Sequence, residues 1–316
     1  MYKLAVLGGG TGLSTLLKGL KKLPFDISAI VSVCDDGSST GRLRQEFNTL
    51  AVGDIRKVLV SLSSDEKKID KLFNYRFDTS SDLDGHALGN LLLTGAIEIT
   101  GNMSKSIDFL NSLLKLKGNV IPLTEDNVIL VSKMKDGSIV FGEHNITESD
   151  KIIDYVYYEN DPKVSKEAVK AIKKADAIVL SMGSLFTSII PNLICKEIID
   201  AIDSSKGKIV YVCNIMTQPG ETDNFRVSDH INLINGYLGN RKVDAVVINN
   251  GKIDTEIVKK YETTEQKDLV LFDKDNIKNV EIIENNYSII KKGSIRHDAL
   301  KVSIDLLSYL LDWVGG

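Results

Sequence analysis

Glycines between an apolar run and a helical pattern, followed by a pair of acids, are the first residues of this chain whose types and spacing suggest chemistry. Gly8-Gly9-Gly10-Thr11-Gly12 follows the apolar stretch Leu4 to Leu7 and precedes Leu13, Leu16, Leu17 and Leu20 at helical spacing. Glycines there let backbone amides and the helix dipole come up against a phosphate. Four glycines in five positions favour that use over a bare tight turn. The run is not the strict dinucleotide fingerprint, because Leu13 or Thr15 stands where its third glycine should be. It is not a Walker A loop either, because no Gly-Lys-Ser/Thr follows. Asp35-Asp36 closes a second apolar run, Ile27 to Val33. Acids at that point can bind a ribose or hold Mg²⁺ beside phosphates. The plainer alternative is a loop cap paired with Arg42 and Arg44. Ser38-Ser39-Thr40-Gly41-Arg42 adds hydroxyls and a guanidinium suited to anions.

Further polar groups stand directly before apolar helices. Asp54, in Gly53-Asp54-Ile55-Arg56, reads best as a helix N-cap. His86 and Asn90 are four apart on one helix face, either as ligand contacts or as a satisfied first-turn histidine and its neighbour. Gly183-Ser184-Leu185-Phe186-Thr187-Ser188 follows the strand-like AIVLSM. Its amides, Ser184 and Thr187 can take a second phosphate, or it is an ordinary turn. Two such loops at strand ends suit a pyrophosphate at the carboxyl edge of a sheet. Asn214 to Thr222 forms a third loop, too polar and too long for a minimal turn. The chain has no G-x-S-x-G elbow, no H-E-x-x-H and no cysteine cluster, so nucleophilic and zinc hydrolase mechanisms lack support.

The elements that must position these groups read as alternating strands and helices. The opening βαβ unit calls for a parallel sheet. Asp54 to Leu116 reads as helices. About 118–160 reads as a β-rich insertion with a hairpin turn at Asp136-Gly137, and KIIDYVYYEN adds another strand. The parallel rhythm resumes with helices at VSKEAVKAIKKA, PNLICKEIIDAI, DHINLINGYLG and TEIVKKYE. Strands are expected at DAIVLSMGS, KIVYVCN, DAVVINNG, LVLF and SIIKKG, and a closing helix at HDALKVSIDLLSYLLDWV. With 316 residues, 43% hydrophobic, and no flexible linker, the pattern suits one α/β domain carrying the insertion. Lys+Arg 39 against Asp+Glu 43 leaves a net charge of −4, with no overall pull toward nucleic acid. No apolar run reaches bilayer length, and the start is too short for a signal peptide. Cys34, Cys195 and Cys213 suit reduced thiols in a cytoplasmic protein. The acid after the second strand also fits a nicotinamide-dependent oxidoreductase, but the missing glycine and the lack of a proton-relay signature weigh against it.

Taken together, GGGTGLS, SVCDDGSSTGRLR, GDIRKVLVSL, DGHALGNLLL, GSLFTSIIPNLI, NIMTQPGET and IRHDALKV resemble the CofD-like superfamily over essentially the whole chain. They resemble more closely its YvcK/GlmR branch, the gluconeogenesis factors. Met182 stands where proline is usual in that pattern, and Phe186 where tyrosine is. The resemblance implies a Rossmann-like α/β fold and a cytoplasmic homodimer that binds UDP-N-acetylglucosamine. Such a protein supports cell-envelope precursor synthesis and cell shape during gluconeogenic growth, acting with an enzyme of glucosamine-phosphate synthesis. The distant branch, 2-phospho-L-lactate transferase, implies as the alternative a Mg²⁺-dependent transferase acting on a nucleotide or nucleotide-sugar. Carried onto this chain, the resemblance implies that Gly9, Gly10, Thr11 and Gly12, with Gly183, Ser184 and Thr187, hold the diphosphate. Asp36 would be the catalytic acid, and Asp35 with Asp36 the Mg²⁺ ligands. Asn90 and Asn214 would line the cleft, Tyr261 would stack on uracil, and Arg296 would pair with a phosphate. NAD is a further candidate occupant.

Overall fold

The computed structural model describes residues 1–291 and 293–315. Continuous apolar runs such as LAVL, AIVL and IVYV are what a sheet covered on both faces requires. They become β1 (Tyr2–Gly8), α1 (Gly10–Leu20), β2 (Phe25–Val31), α2 (Ser38–Phe47) and α3 (Val52–Leu62). The helical stretch continues with α4 (Glu66–Phe73), α5 (Leu88–Thr100) and α6 (Met103–Leu114). Next come β3 (Asn119–Pro122), β4 (Leu130–Met134), β5 (Ile139–Phe141), α7 (Glu143–Thr147) and β6 (Ile153–Tyr158). The parallel rhythm then runs α8 (Lys166–Lys174), β7 (Ala177–Leu180), a π-helical turn (Leu185–Ile189), α9 (Ile190–Leu193), α10 (Lys196–Ser204) and β8 (Lys208–Val212). The chain closes with α11 (Val227–Tyr237), β9 (Ala245–Asn249), α12 (Thr255–Glu265), β10 (Glu281–Asn285), β11 (Ser288–Lys291), β12 (Ser294–His297) and α13 (Ala299–Gly315).

Seven strands form one sheet in the order β10-β9-β8-β7-β1-β2-β3, and every pair is parallel. The chain winds outward from β1 through β2 to β3, then crosses to the other side of β1 and winds through β7 to β10. The crossing leaves a crevice between the carboxyl ends of β1 and β7, the position where open α/β sheets bind ligands. Side chains alternate along the strands. Leu4, Val6, Ala29, Val179 and Val210 meet α1, α3, α6 and α13 on one face. Ala5, Leu7, Ile178, Leu180 and Tyr211 meet α8, α10 and α11 on the other.

The expected α/β class and its helices are present, with four differences of detail. β3 extends the parallel sheet, so the small antiparallel sheet β5-β4-β6 begins only at Leu130. LVLF is not a strand: Leu269 and Leu271 make single bridges to Met216 and Arg226. The helix expected across PNLICKEIIDAI is broken at Cys195, whose extended backbone accepts from Ile198 and Ile199 and starts a new helix. β10 was hidden in the sequence by Glu281, Glu284 and Asn285, which an edge strand tolerates because one of its sides is open. Among the described residues no helix is long and apolar enough to cross a membrane.

Candidate functional site

A cleft of about 440 Å³ opens at the β1/β7 crossing point. Its lining brings together Gly9, Thr11, Gly12, Gly183, Ser184, Asn214, Tyr261 and Arg296, eight of the residues singled out from sequence. β1 delivers the first loop and α1 begins inside it. Gly10, the first helical residue, has φ +58°, a left-handed value that favours glycine. Gly12 serves a different need. A Cβ there would overlap the Met182 carbonyl oxygen and lie 2.9 Å from Gly183 Cα, so the two loops pack backbone against backbone.

The amides of the first loop are divided. Gly10 N–H donates to Asp54 Oδ2 at 2.7 Å, and Asp54 Oδ1 pairs with Lys57 at 3.0 Å. Asp54 therefore does not cap its own helix, which Ala51 precedes as N-cap. It clamps the loop of a helix packed alongside. Burial, opposed by Lys57, raises the Asp54 carboxyl above the usual range. The first-turn amides of Thr11 and Gly12 have no intrahelical partner and line the cleft, ready for an anion.

The second loop is already occupied by the protein itself. Glu221, 4% exposed, accepts from Ser184 Oγ at 2.7 and 2.5 Å, from Phe186 N–H at 3.1 Å and from Gln218 Nε2 at 2.7 Å. Burial pushes its carboxyl up to about 7 despite these donors. Asn214 closes on Gly183 from the other side, its Oδ1 accepting the Gly183 amide at 2.9 Å and its Nδ2 donating to the Gly183 carbonyl at 2.7 Å. Thr187 lies behind the loop, its amide donating to Ser184 Oγ at 3.1 Å, and it does not line the cleft. The loop presents Ser184, Ser188 and Gly183 to the cleft, while the Phe186 and Gly183 amides stay engaged. Only the fold reveals this role of Glu221. Its one signal in the sequence is an acid inside a long polar loop.

The far wall is apolar and cationic. Tyr261, Ile215 and Ile295 form a small buried cluster, with Tyr261 Oη accepting the Ile295 amide at 2.9 Å. A planar base can lie against such a ring. Arg296, on β12, and Lys267 bring positive charge, and Thr217 and Gln218 bring polar side chains. His297 donates from Nε2 to the Cys213 carbonyl at 3.0 Å, and burial pushes it down to about 4, so it lines the cleft as a neutral ring. Thr217, Gln218 and His297 lie within segments marked in the sequence but were not singled out there, and Lys267 lies outside them.

Asp35 and Asp36 stand beside this cleft rather than in its lining. Asp35 accepts from Gly37 N–H and from Thr40 Oγ1. Asp36 accepts the His144 amide at 2.8 Å and borders a separate cavity of about 580 Å³ with Asn48, Asn127 and Asn145. Arg44 and Arg42 donate to backbone carbonyls, not to these acids. Asn90 and His86 are buried and meet on Ser39 Oγ, each at 3.0 Å, away from the cleft. Among the described residues no three His, Cys, Asp or Glu side chains converge as a protein metal cage would. Mg²⁺ bound through one carboxylate, phosphates and water needs fewer. Asp36 Oδ2, which carries no protein hydrogen bond, fits that use; Asp35 has both oxygens engaged.

Comparison with known proteins bears on the chain as a whole. The family profile described as 2-phospho-L-lactate transferase CofD matches residues 4–288. The gluconeogenesis factor of Halalkalibacterium halodurans is 42% identical over 305 residues, covering 96% of this chain and 94% of its own. That of Bacillus subtilis is 41% identical over 313 residues, covering 96% and 98%. A crystal structure of a Bacillus halodurans protein, 41% identical, superposes with a TM-score of 0.93 over 97% of this chain and 100% of its own.

Proposed function

Because the chain belongs to the CofD family, in its gluconeogenesis-factor branch, we propose that it is a regulatory protein whose cleft binds UDP-N-acetylglucosamine. The observation that carries this reading is the set of groups that one cleft brings together. Its lining combines Thr11 and Gly12, whose first-turn amides lack helical partners, with the Tyr261 ring and Arg296. In this reading the amides and the α1 dipole take the diphosphate. Arg296 and Lys267 balance its charge, uracil lies on Tyr261, and the sugar hydroxyls reach Thr217 and Gln218. Glu221 and Asn214 bind no ligand themselves but hold the second loop in shape. The protein then acts as a cytoplasmic homodimer. It reports nucleotide-sugar supply to an enzyme of glucosamine-phosphate synthesis and so supports envelope synthesis and cell shape in gluconeogenic growth.

Calorimetric titration with UDP-N-acetylglucosamine, with and without Mg²⁺, beside NAD and GDP, tests this. Saturable binding of the UDP-sugar is expected. Tyr261→Ala and Arg296→Ala should each weaken it roughly tenfold, the worth of one stacked ring or one charge-assisted bond. Silence with the UDP-sugar together with binding of NAD or GDP would sink the assignment.

A transferase reading has one specific observation in its favour. Asp36 keeps one carboxylate oxygen, Oδ2, free of hydrogen bonds among the described residues, and the charges of Asp35, Asp54 and Asp36 add to burial in pushing the Glu143 carboxyl up to about 7. Bound there, Mg²⁺ would supply charge neutralisation for group transfer from a nucleotide. Asp36→Ala should then abolish turnover of a nucleotide-linked donor while sparing UDP-sugar binding. Unchanged turnover in that variant would remove this reading.

A further inference from the structure

On the other side of the α1 N-terminus lies a smaller cavity of about 250 Å³, between α1 and α3. Thr11 lines both this cavity and the main cleft. Its other walls include Ser14 and Lys18 from α1 and Arg56 and Lys57 from α3, with Asp70 exposed at the rim. Three cations in so small a space call for an explanation. Two are balanced: Lys57 pairs with Asp54 at 3.0 Å and Lys18 with Glu66 at 2.8 Å. Arg56 is not. It is 5% exposed, yet among the described residues it makes no ion pair within 4 Å.

The hydrogen bonds of Arg56 are one-sided. Nη1 donates to the Phe73 carbonyl at 3.2 Å and to Asn74 Oδ1 at 2.5 Å, holding the turn after α4. Nε is shielded from solvent and has no partner among the described residues, whereas Nη2 makes no hydrogen bond to them and is not sealed off. Nε and Nη2 form the fork edge of the guanidinium, the edge that grips two oxygens of an oxyanion. A buried cation with that edge unmatched is costly unless a ligand completes it. Thr11, whose hydroxyl makes no hydrogen bond among the described residues, and Lys18 and Lys57, each in an ion pair, line the same space. That donor set suits a tetrahedral dianion better than a planar carboxylate.

We propose that the cavity between α1 and α3 is a second anion subsite that takes phosphate or the phosphate of a small phosphomonoester at the unpaired Nη2 side of the Arg56 guanidinium. Sharing Thr11 with the main cleft, it is placed to let a small phosphorylated metabolite influence the nucleotide-sugar site, or to bind beside it.

Calorimetric titration with inorganic phosphate and with glycerol 3-phosphate tests this, at constant ionic strength set with chloride. Saturable binding is expected in the unmodified protein. Arg56→Lys, which keeps the charge but loses the fork, should weaken it by about tenfold or more. Lys18→Gln, which removes no hydrogen bond to the turn that Arg56 holds, should weaken it about threefold and keeps the test decisive if the Arg56 variant does not fold. Arg296→Ala, across the main cleft, should leave it unchanged. The proposal is overturned if phosphate does not saturate, or if Arg56→Lys and Lys18→Gln bind it as the unmodified protein does. It is also overturned if binding is lost only in Arg296→Ala, which would place the anion in the main cleft. No arm uses the UDP-sugar, so failure here and failure of the nucleotide-sugar reading are told apart.

Discussion

Glu221 is the residue on which the second loop turns. A carboxylate taking the Phe186 amide and the Ser184 hydroxyl does for this loop what the proposed diphosphate would do for the first. Burial raises its carboxyl from 4.5 to about 7, so between those values the folded protein keeps a proton that the unfolded chain has released. Stability contributed by this group therefore falls as pH rises through that window and stays low above it. Glu221→Gln removes the penalty. Its melting temperature should exceed that of the unmodified protein at pH 8, by the equivalent of up to ~3 kcal/mol, with the gain shrinking toward pH 4.5. The same proton bears on the ligand. Ionised Glu221 adds negative charge beneath a diphosphate, so UDP-sugar affinity should decline from pH 6 to pH 8. Titrations at both values should show that slope flattened in Glu221→Gln, and an unchanged slope would assign the pH effect to another group.

At the scale of elements, the cleft exists because two strand-to-helix loops meet at the crossing point of the sheet. β1 and β7 are neighbours, so the loops leaving them converge, and they can touch only where neither carries a side chain. Gly12 is that point. Gly12→Ala must push the first loop off the Met182 carbonyl, which is backbone and has nowhere to rotate. The cost is about 1–3 kcal/mol of overpacking, and the displaced Thr11 and Gly12 amides should lose UDP-sugar binding well beyond that expected from stability alone. Chemical denaturation together with calorimetry on the folded variant separates the two effects. If Gly12→Ala binds normally, the first-turn amides do not hold the ligand. The π-helical turn belongs to this scale as well. Its wide winding follows Ser184, which caps the Thr187 amide at 3.1 Å while facing the cleft.

At the scale of the whole molecule, the chain's last helix supports its first. α13 runs back across α1, where Gly19 leaves no room for a Cβ against the Ala299 carbonyl. Leu306, Leu310 and Val302 are fully buried there with Leu13, Leu16 and Leu17. The helix whose N-terminus lines the cleft is thus held from behind by residues nearly three hundred positions away. Leu306→Ala should cost about 2–5 kcal/mol, read as a lower denaturant midpoint, with ligand affinity little changed while the protein stays folded. A large loss of affinity at unchanged stability would instead mean that α13 sets the position of α1 and does more than anchor it.

Much of this was legible in the sequence, and the reasons divide cleanly. Local patterns announced the parallel sheet, because runs such as AIVL and IVYV have one stable use, and they announced the glycine loop, because a strand-to-helix turn that close to a ligand tolerates little else. The family resemblance pointed to Tyr261 and Arg296, which the fold does bring into one cleft with Thr11 and Gly12. Residues whose partners are distant in sequence were beyond such reading. Asp54 reads as a helix cap until α3 packs beside α1 and turns it toward Gly10. Asp36 and Asn90 read as cleft residues until the α2 region carries them to other partners. Glu221 and the half-matched Arg56 have no spacing rule at all. Periodicity and motif record which backbone a segment adopts and which chemistry it can offer. Which donor meets which acceptor depends on how the helices settle on the sheet, and tertiary packing alone decides that.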